Sequence, residues 1–182
     1  MTSLRQVPLS GCNLTDLTDL PRVGFRGADS ADYLRGRDFV LPDSPNRAVI
    51  QRDGSLVARL SQTEYLLLGG NDLGERIADE EARWEMDHQA NYLLPRQDSH
   101  ACFELSGERL SQVMAKLCGV DLSAEAFGIG AVAQTSAARI NVIVINSGSA
   151  GHPSVHILFD RPSKAYFHEA VVDAMQEFAG AA

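Results

Sequence analysis

The chain repeats one pattern of residues, and this repeat limits the folds open to it more than any other feature. Residues 23–27 have the character of a short strand that ends in glycine, and residues 28–37 then have that of a helix. Residues 102–107 form a second strand-like stretch that ends in glycine, and residues 108–117 again resemble a helix. The same step from strand to helix therefore occurs in both halves of the chain.

A second step from strand to helix is also repeated. Residues 65–68 lead into a predicted helix at residues 71–84, as residues 155–159 lead into a predicted helix at residues 162–178. We therefore expect an α+β fold of two pseudo-symmetric strand-helix-strands-helix repeats with mainly antiparallel sheets. A duplicated body of this kind suits a subunit that docks onto or cradles another molecule, although a fold alone names no reaction.

The predicted domain organisation follows from this repeat and from the chain length. Residues 1–20 have weak periodicity and are predicted to form an extended N-terminal arm. Residues 21–182 are predicted to form a single domain, since a chain of this length can bury one core or two small half-domains that share one. The two repeats are expected at about residues 21–92 and about residues 93–182.

Several local elements have clear signals. Asp53 and Gly54 separate two apolar runs and predict a hairpin with a tight two-residue turn, because this dipeptide tolerates the positive φ angles of such a turn. The carboxylate of Asp29 is predicted to cap the helix that follows it. Two helices are predicted from apolar stripes at helical spacing, Leu110, Val113, Met114, Leu117 and Cys118 in one and Tyr166, Phe167, Ala170, Val171, Ala174, Met175 and Phe178 in the other.

Charge excludes some classes of partner. The formal net charge is −8, and Lys116 and Lys164 are the only lysines. Such a chain lacks the basic surface of a nucleic-acid-binding protein, and its acidity disfavours contact with anionic membranes. One stretch is rich in acids, which form either a solvated helix face or a docking patch for an arginine-rich partner: Asp79, Glu80, Glu81, Glu85 and Asp87.

The apolar segments and the cysteines predict a cytoplasmic protein. Residues 1–9 lack the continuous apolar core of a signal peptide, and no apolar stretch is long enough to span a bilayer. The chain has three cysteines, Cys12, Cys102 and Cys118, an odd number with no two of them close in sequence. This fits a reducing compartment better than a disulfide framework.

Three short patterns resemble chemical motifs but lack the required context. Residues 128–133 carry the letters of a dinucleotide fingerprint, yet the residues after them are typical of a strand, not of the required helix. Asp98, Ser99 and His100 are neighbours in sequence, whereas the members of a catalytic triad converge from separate segments.

The third pattern is a pair of histidines. His152 and His156 have a spacing that suits a shared metal ion only on a helix, and Pro153 with the strand that follows argues against one. We therefore predict no metal site and assign no catalytic residue, and the chain has the character of a binding or accessory protein.

Single residues spread over most of the chain resemble one family. The order of landmarks is similar to that of the gamma subunit of heterotetrameric sarcosine oxidase, a family related in fold to the aminomethyltransferase, or T-protein, of the glycine cleavage system. The landmarks are Phe25, Arg26, Gly27, Pro42, Asn46, Arg59, Leu60 and residues 64–68 in the first half, and residues 98–100, 105–107, 121–122, Phe127, Thr135, Ala138, Arg139 and residues 161–166 in the second.

The resemblance implies an accessory, non-catalytic role in one-carbon metabolism. The gamma subunit is the small partner in a flavoenzyme complex that demethylates sarcosine oxidatively. In that complex other subunits hold FAD, FMN and NAD, and tetrahydrofolate accepts the one-carbon unit. The resemblance therefore predicts a subunit of an oxidoreductase complex that is not a catalyst on its own. Its partner would be a larger flavoenzyme subunit, with a homo-oligomer as the other option.

Two further functions stay open at the level of sequence. The chain could be a stand-alone folate- or pterin-binding protein of the aminomethyltransferase type, with a pocket between the repeats. Arg59 and Arg139 are then the candidate contacts for the anionic tail of the ligand, because guanidinium groups bind carboxylates well. The other option is a structural or assembly protein without a small-molecule ligand.

Overall fold

The computed structural model describes residues 6–9, 11–70 and 75–178. The chain forms two compact units, which we describe separately: one contains residues 19–99, and the other contains residues 1–18 and 100–182. The segment predicted as an N-terminal arm supplies two strands of the second unit. That one domain contains both repeats stays a prediction.

The unit of residues 19–99 is a five-stranded antiparallel sheet with two helices. Its strand order is β4-β5-β6-β3-β7. Its core packs Val23, Phe25, Val57, Tyr65 and Leu67 of the sheet against Leu34 and Ile77 of the helices. The elements are β3 (Arg22–Arg26), α1 (Ser30–Gly36), β4 (Arg47–Ile50), β5 (Leu56–Arg59), β6 (Glu64–Leu68), α2 (Glu75–Arg83) and β7 (Tyr92–Pro95).

The second unit is a six-stranded antiparallel sheet with two helices. Its strand order is β1-β2-β8-β11-β10-β9, and its core includes Phe103, Leu105, Val113, Phe159 and Phe167. The elements are β1 (Gln6–Leu9), β2 (Cys12–Asp16), β8 (His100–Ser106), α3 (Leu110–Leu117), β9 (Val132–Ala137), β10 (Ile140–Asn146), β11 (Ser154–Asp160), a 3-10 turn (Arg161–Ser163) and α4 (Lys164–Gln176).

The two sheets have the same internal order. β4, β5, β6 and β3 are neighbours in one sheet, just as β9, β10, β11 and β8 are in the other. In both units a helix follows the first strand of the repeat and another follows the last. The predicted α+β fold of two pseudo-symmetric strand-helix-strands-helix repeats is therefore confirmed.

The two sequence repeats exchange one strand each, which the sequence did not reveal. β2 precedes β3 in the chain but pairs with β8, where Leu14 lies opposite Leu105. β7 precedes β8 in the chain but pairs with β3, where Leu93 lies opposite Phe25. Each repeat therefore gives its leading strand to the sheet of the other repeat.

Matching backbone contacts begin at Gly27 in one repeat and at Gly107 in the other. The Gly27 N–H donates to the Thr63 carbonyl (2.9 Å) directly before β6, and the Gly107 N–H donates to the Pro153 carbonyl (3.0 Å) directly before β11. Asp29 N–H then donates to the Ala90 carbonyl (3.0 Å), which precedes β7.

The second copy closes in the same way. Arg109 N–H donates to the Gly11 carbonyl (3.1 Å), which precedes β2. The backbone approaches so closely that a Cβ on Gly107 would lie 2.3 Å from that carbonyl oxygen, and one on Gly27 would lie 1.8 Å from the Ala90 oxygen. Only glycine fits at either position, since both also have positive φ angles of 150° and 118°.

Some local predictions need correction. Asp29 lies at the N-cap of α1 but makes no side-chain capping bond. Its carboxylate instead accepts a hydrogen bond from the Ala90 N–H (2.7 Å), because the chain before the exchanged strand β7 competes for it. The β4–β5 hairpin is confirmed, with Gly54 at a φ of 82°, but the Gln51 N–H to Ser55 carbonyl bond closes a loop longer than the expected two-residue turn.

Helix ends also differ from expectation. The last helix begins at Lys164, after a 3-10 turn that contains Pro162. Residues 71–74 of the helix predicted at 71–84 lie outside the described residues, and α2 is described from Glu75 to Arg83.

Replacement of either closing glycine by alanine should destabilise the protein. We expect Gly27→Ala and Gly107→Ala each to lower the free energy of unfolding by about 1–3 kcal/mol, because the new Cβ meets backbone oxygen at a strained φ. Gly36→Ala is the matched control, since its Cβ would meet no atom within 4 Å. Chemical denaturation measures all three. A loss at Gly36 equal to the loss at Gly27 would contradict the account.

Truncation of Phe167 should show the depth of the core beneath α4. Phe167 is fully buried, with its ring stacked on Phe103 (centroids 6.2 Å apart) and tilted against Phe159 (4.4 Å). We expect Phe167→Ala to cost about 3–5 kcal/mol in the free energy of unfolding, because it leaves a cavity. Tyr166→Ala, at the half-exposed neighbouring position, is the control and should cost clearly less. Equal melting temperatures for wild type and Phe167→Ala would refute the assignment.

Candidate functional site

Polar side chains collect on the helix-free face of the sheet that contains β8 and β11. Phe103, Leu105, Val155 and Ile157 belong to the helix-covered core, so the residues between them in sequence point to the opposite face. His156 lies directly opposite Glu104 in the ladder of β8 and β11. The register of the two strands therefore places an imidazole beside a carboxylate.

Two hydroxyl groups complete this polar cluster. The Ser154 hydroxyl donates a hydrogen bond to Glu104 Oε1 at 2.9 Å. The Ser147 hydroxyl lies 2.7 Å from Nδ1 of His156. We call Glu104, Ser147, Ser154 and His156 the β8/β11 polar cluster.

Burial makes His156 less basic than an ordinary histidine. Loss of solvent disfavours the charged imidazolium and lowers the pKa of His156, while the carboxylate of Glu104 acts in the opposite direction and raises it. The net result is a lowered pKa. The imidazole is therefore held in its neutral form near neutral pH, where it can accept or donate a hydrogen bond.

The cluster has the residue types of a hydrolytic triad but a different arrangement. Glu104 accepts its hydrogen bond from Ser154, and Ser147 contacts His156. Among the described residues there is also no group of three histidine, cysteine or acidic side chains that could hold a metal ion. The geometry suits hydrogen bonding to a polar partner better than nucleophilic catalysis. The sequence pattern indicated His156 only as a neighbour of His152. Glu104 was not predicted, although the alternation of residues along β8 places it on the same face as a polar partner.

Arg59, one of the two predicted ligand contacts, is bonded to backbone carbonyls. Its Nη1 donates to the carbonyls of Asp43 (2.9 Å) and Pro42 (3.4 Å), and its Nη2 donates to the carbonyl and side chain of Gln62 (both 3.0 Å). Nε donates to the Ser61 carbonyl at 3.4 Å. All five N–H groups therefore have acceptors, and an anionic ligand would have to displace them.

Arg139, the other predicted contact, lies in the unit that does not contain Arg59. It is exposed on the turn between β9 and β10, where Ala138 and Arg139 have φ angles of 48° and 67°. Positive φ at both central positions is what a two-residue hairpin turn of type I′ requires. The role of Arg59 and Arg139 in ligand binding stays a prediction.

The other sequence patterns take structural positions. The Ser99 hydroxyl donates to the Pro95 carbonyl (3.1 Å) just before β8 begins, and β9 begins at Val132 within the glycine-rich stretch. In the acid-rich stretch, Glu80 is buried and pairs with Arg37 at 2.8 Å, and Asp79 pairs with Arg83 at 3.1 Å. Part of this stretch therefore serves the fold.

A small cavity of about 150 Å³ lies beside the start of α3. Its apolar walls include Leu110, Leu122, Phe127 and Val155, and its polar lining residues are Glu108, Ser111, Asn146 and Ser154. Asn146 Nδ2 donates to the Phe127 carbonyl at 2.6 Å, and its Oδ1 accepts from the Gly148 N–H at 3.1 Å. The amide therefore orders the surrounding loops.

Comparison with solved structures identifies the fold. A chain of heterotetrameric sarcosine oxidase from Corynebacterium sp. U-96, solved with pyrrole 2-carboxylate, matches with a TM-score of 0.75 and 21% identity, over 97% of this chain and 89% of that chain. The glycine cleavage system aminomethyltransferase T from Bartonella henselae matches with a TM-score of 0.63 and 14% identity. This second match covers 89% of this chain but only 45% of the aminomethyltransferase.

The resemblance predicted from the sequence is therefore confirmed at the level of the fold. No protein-family model and no curated protein matches the chain. Among the residues with described structure, no helix has the length and apolar character needed to cross a membrane.

The lowered pKa of His156 predicts acid sensitivity. An unfolded histidine takes up a proton near its usual pKa of 6.5, whereas folded His156 resists protonation, so the free energy of unfolding should decline as the pH falls below about 6.5. His156→Gln should flatten this decline, and His152→Gln, at an exposed position, should not.

NMR titration of the imidazole signals provides the direct measurement. Glu104→Gln removes the carboxylate that raises the pKa of His156, so this variant should shift the titration of His156 further towards acid. An unchanged or more basic titration in Glu104→Gln would show that the carboxylate does not act on this imidazole.

Proposed function

We propose that the chain is an accessory, non-catalytic gamma-type subunit of a sarcosine-oxidase-like flavoenzyme complex, which docks onto a larger subunit. One observation carries this proposal: the fold matches a chain of a heterotetrameric sarcosine oxidase over nearly the whole of both chains, 97% and 89%. A fold shared almost from end to end favours a similar place in a similar assembly. Under this proposal the other subunits hold FAD, FMN and NAD.

A stand-alone folate-binding role of the aminomethyltransferase type has less support. The match to the aminomethyltransferase covers 45% of that chain. In addition, the guanidinium of Arg59 already has an acceptor for each N–H group. We therefore favour binding of tetrahydrofolate by other parts of the complex.

Exposed apolar side chains support docking. In the unit of residues 19–99, Val40, Ile50, Met86 and Tyr92 are each more than half exposed to solvent. Large apolar groups at the surface are common singly, but they also supply the anchors of protein interfaces. A larger subunit would cover some of them.

Co-expression with the products of neighbouring genes tests the proposal. We expect one of them to co-purify with this chain as a stable complex of defined mass, with an interface on the order of 2,000 Å². Gel filtration with light scattering measures the mass, and a flavoprotein of unrelated fold is the control. Elution of this chain alone, or only as a homo-oligomer, in the presence of every neighbouring product would contradict the proposal.

A further inference from the structure

The edge strands of the two sheets differ in how they are protected. Edge strands expose backbone N–H and C=O groups that can pair with another chain, and proteins commonly block them with proline or with covering segments. β1 contains Pro8 and β7 ends in Pro95. β9 is bridged at its end by Cys118, which pairs with Ala137. β4 is the remaining edge strand of the described sheets and has none of these features.

The backbone of β4 offers free hydrogen-bonding groups to solvent. Gln51 N–H donates to the Ser55 carbonyl at 2.7 Å, so the odd-numbered residues of this strand point towards β5. The N–H and C=O groups of Ala48 and Ile50 therefore point outward. At the other end of β4, the N–H of Asn46, whose φ is 59°, donates to the carbonyl of Arg59. Arg59 is also the residue that pairs with Arg47. Two residues therefore lie opposite one, which forms a bulge where β4 begins.

Apolar side chains accompany this edge. The Ile50 side chain is 51% exposed. Val40, which is 61% exposed, is held beside Gln51 by two hydrogen bonds of 2.9 Å, from the Val40 N–H to the Gln51 amide oxygen and from the amide nitrogen to the Val40 carbonyl. The edge therefore presents backbone pairing groups together with apolar surface.

The charge at this edge is positive, in a chain of net charge −8. Arg47 and Arg52 are exposed at the two ends of β4. Among the described residues, neither Arg47 nor Arg52 has a side-chain ion pair or hydrogen bond. Every other arginine of residues 19–99 has one: Arg22, Arg26, Arg35, Arg37, Arg59, Arg76, Arg83 and Arg96. Two cations that have no partner within the described part of the chain therefore flank this edge.

We propose that β4 is a strand-addition site, where an extended segment of the larger partner subunit pairs with the edge of the sheet. The segment would carry acidic residues that meet Arg47 and Arg52 and apolar residues that contact Ile50. This inference rests on the proposed function and specifies its interface. A second copy of the chain is a poorer occupant, because pairing of two β4 strands would bring together Arg47 and the nearby Arg52 of both copies, and β4 itself has no carboxylate.

A peptide titration tests the edge without the partner. The probes are the peptides Ac-EVEVEVE-NH2 and Ac-KVKVKVK-NH2, added to the full ¹⁵N-labelled chain. We expect the acidic peptide to shift the amide signals of Ala48 and Ile50 most, in a saturable manner, and the lysine peptide to bind at least about tenfold more weakly. Absence of saturable shifts in β4 up to about 10 mM acidic peptide, or equal shifts over the whole surface, would overturn the proposal.

Two variants separate backbone pairing from charge. Ile50→Pro removes an N–H group that points outward, a change that an edge strand tolerates, and this variant should abolish peptide binding. Ile50→Thr keeps that N–H group and should retain peptide binding. Arg47→Glu with Arg52→Glu should reverse the preference between the two peptides even if the proline variant fails to fold. The control for net charge is Arg35→Glu with Arg83→Glu, which alters two exposed arginines of the same unit and should preserve the preference.

The same variants, tested in the complex, distinguish the two proposals. If the wild-type chain co-purifies with a neighbouring product, Ile50→Pro and the double reversal at Arg47 and Arg52 should weaken that complex by at least about tenfold. Unchanged affinity in both variants would overturn strand addition and leave the proposed function intact. Saturable peptide binding without any complex would support β4 as an acceptor strand and count against the proposed function.

Discussion

The fold depends on the close backbone approach at Gly27 and Gly107. At both positions the chain leaves a strand at positive φ and passes within hydrogen-bonding distance of the segment that leads into an exchanged strand. A side chain would occupy the space of a carbonyl oxygen. Each glycine thereby fixes three features at one point of its repeat. These are the turn into α1 or α3, the start of the last strand of the repeat, and the entry to the exchanged strand.

Strand exchange follows from this closure and ties the two repeats together through the chain. β2 and β7 each pair with the strand that begins the other repeat, so the six-stranded sheet combines β1 and β2 with strands that follow residue 99 in the sequence. Contacts of this kind are long-range and make folding slower than local pairing would. A cut of the chain between β7 and β8 would therefore leave the five-stranded sheet whole but would separate β1 and β2 from the rest of their sheet.

Much of the fold could be predicted from local patterns, because burial and turn chemistry act over a few residues. The repeated strand-to-helix steps, the stripe of α3 and the positive φ of Gly54 belong to this class. Strand exchange could not be predicted, because the pairing of β2 with β8 depends on register between distant segments. The same limit explains why Asp29 was interpreted as a cap: its competing partner, the Ala90 N–H, comes from a segment far along the sequence.

The candidate site shows the same limit, since Glu104 and His156 meet only through the register of β8 and β11. For Arg59 and Arg139, the residue type alone did not reveal whether the N–H donors of the guanidinium were free to bind a ligand. Arg59 has the chemistry to bind an anion, yet the structure directs its N–H groups to the carbonyls of two loops.

The arginine-rich composition now has a structural reason that also directs attention to β4. A guanidinium has a fixed fork of donors and can satisfy several carbonyls at once, which an ammonium cannot do as well. Arg59 donates to loop carbonyls, and the buried Arg22 donates to the carbonyls of Leu20 and Arg96. Arg76 pairs with Asp53 and also donates to the carbonyls of Arg37 and Asp38. Against this pattern Arg47 and Arg52 are exceptions, and an exposed arginine beside unpaired backbone and apolar surface is the composition favoured at protein interfaces.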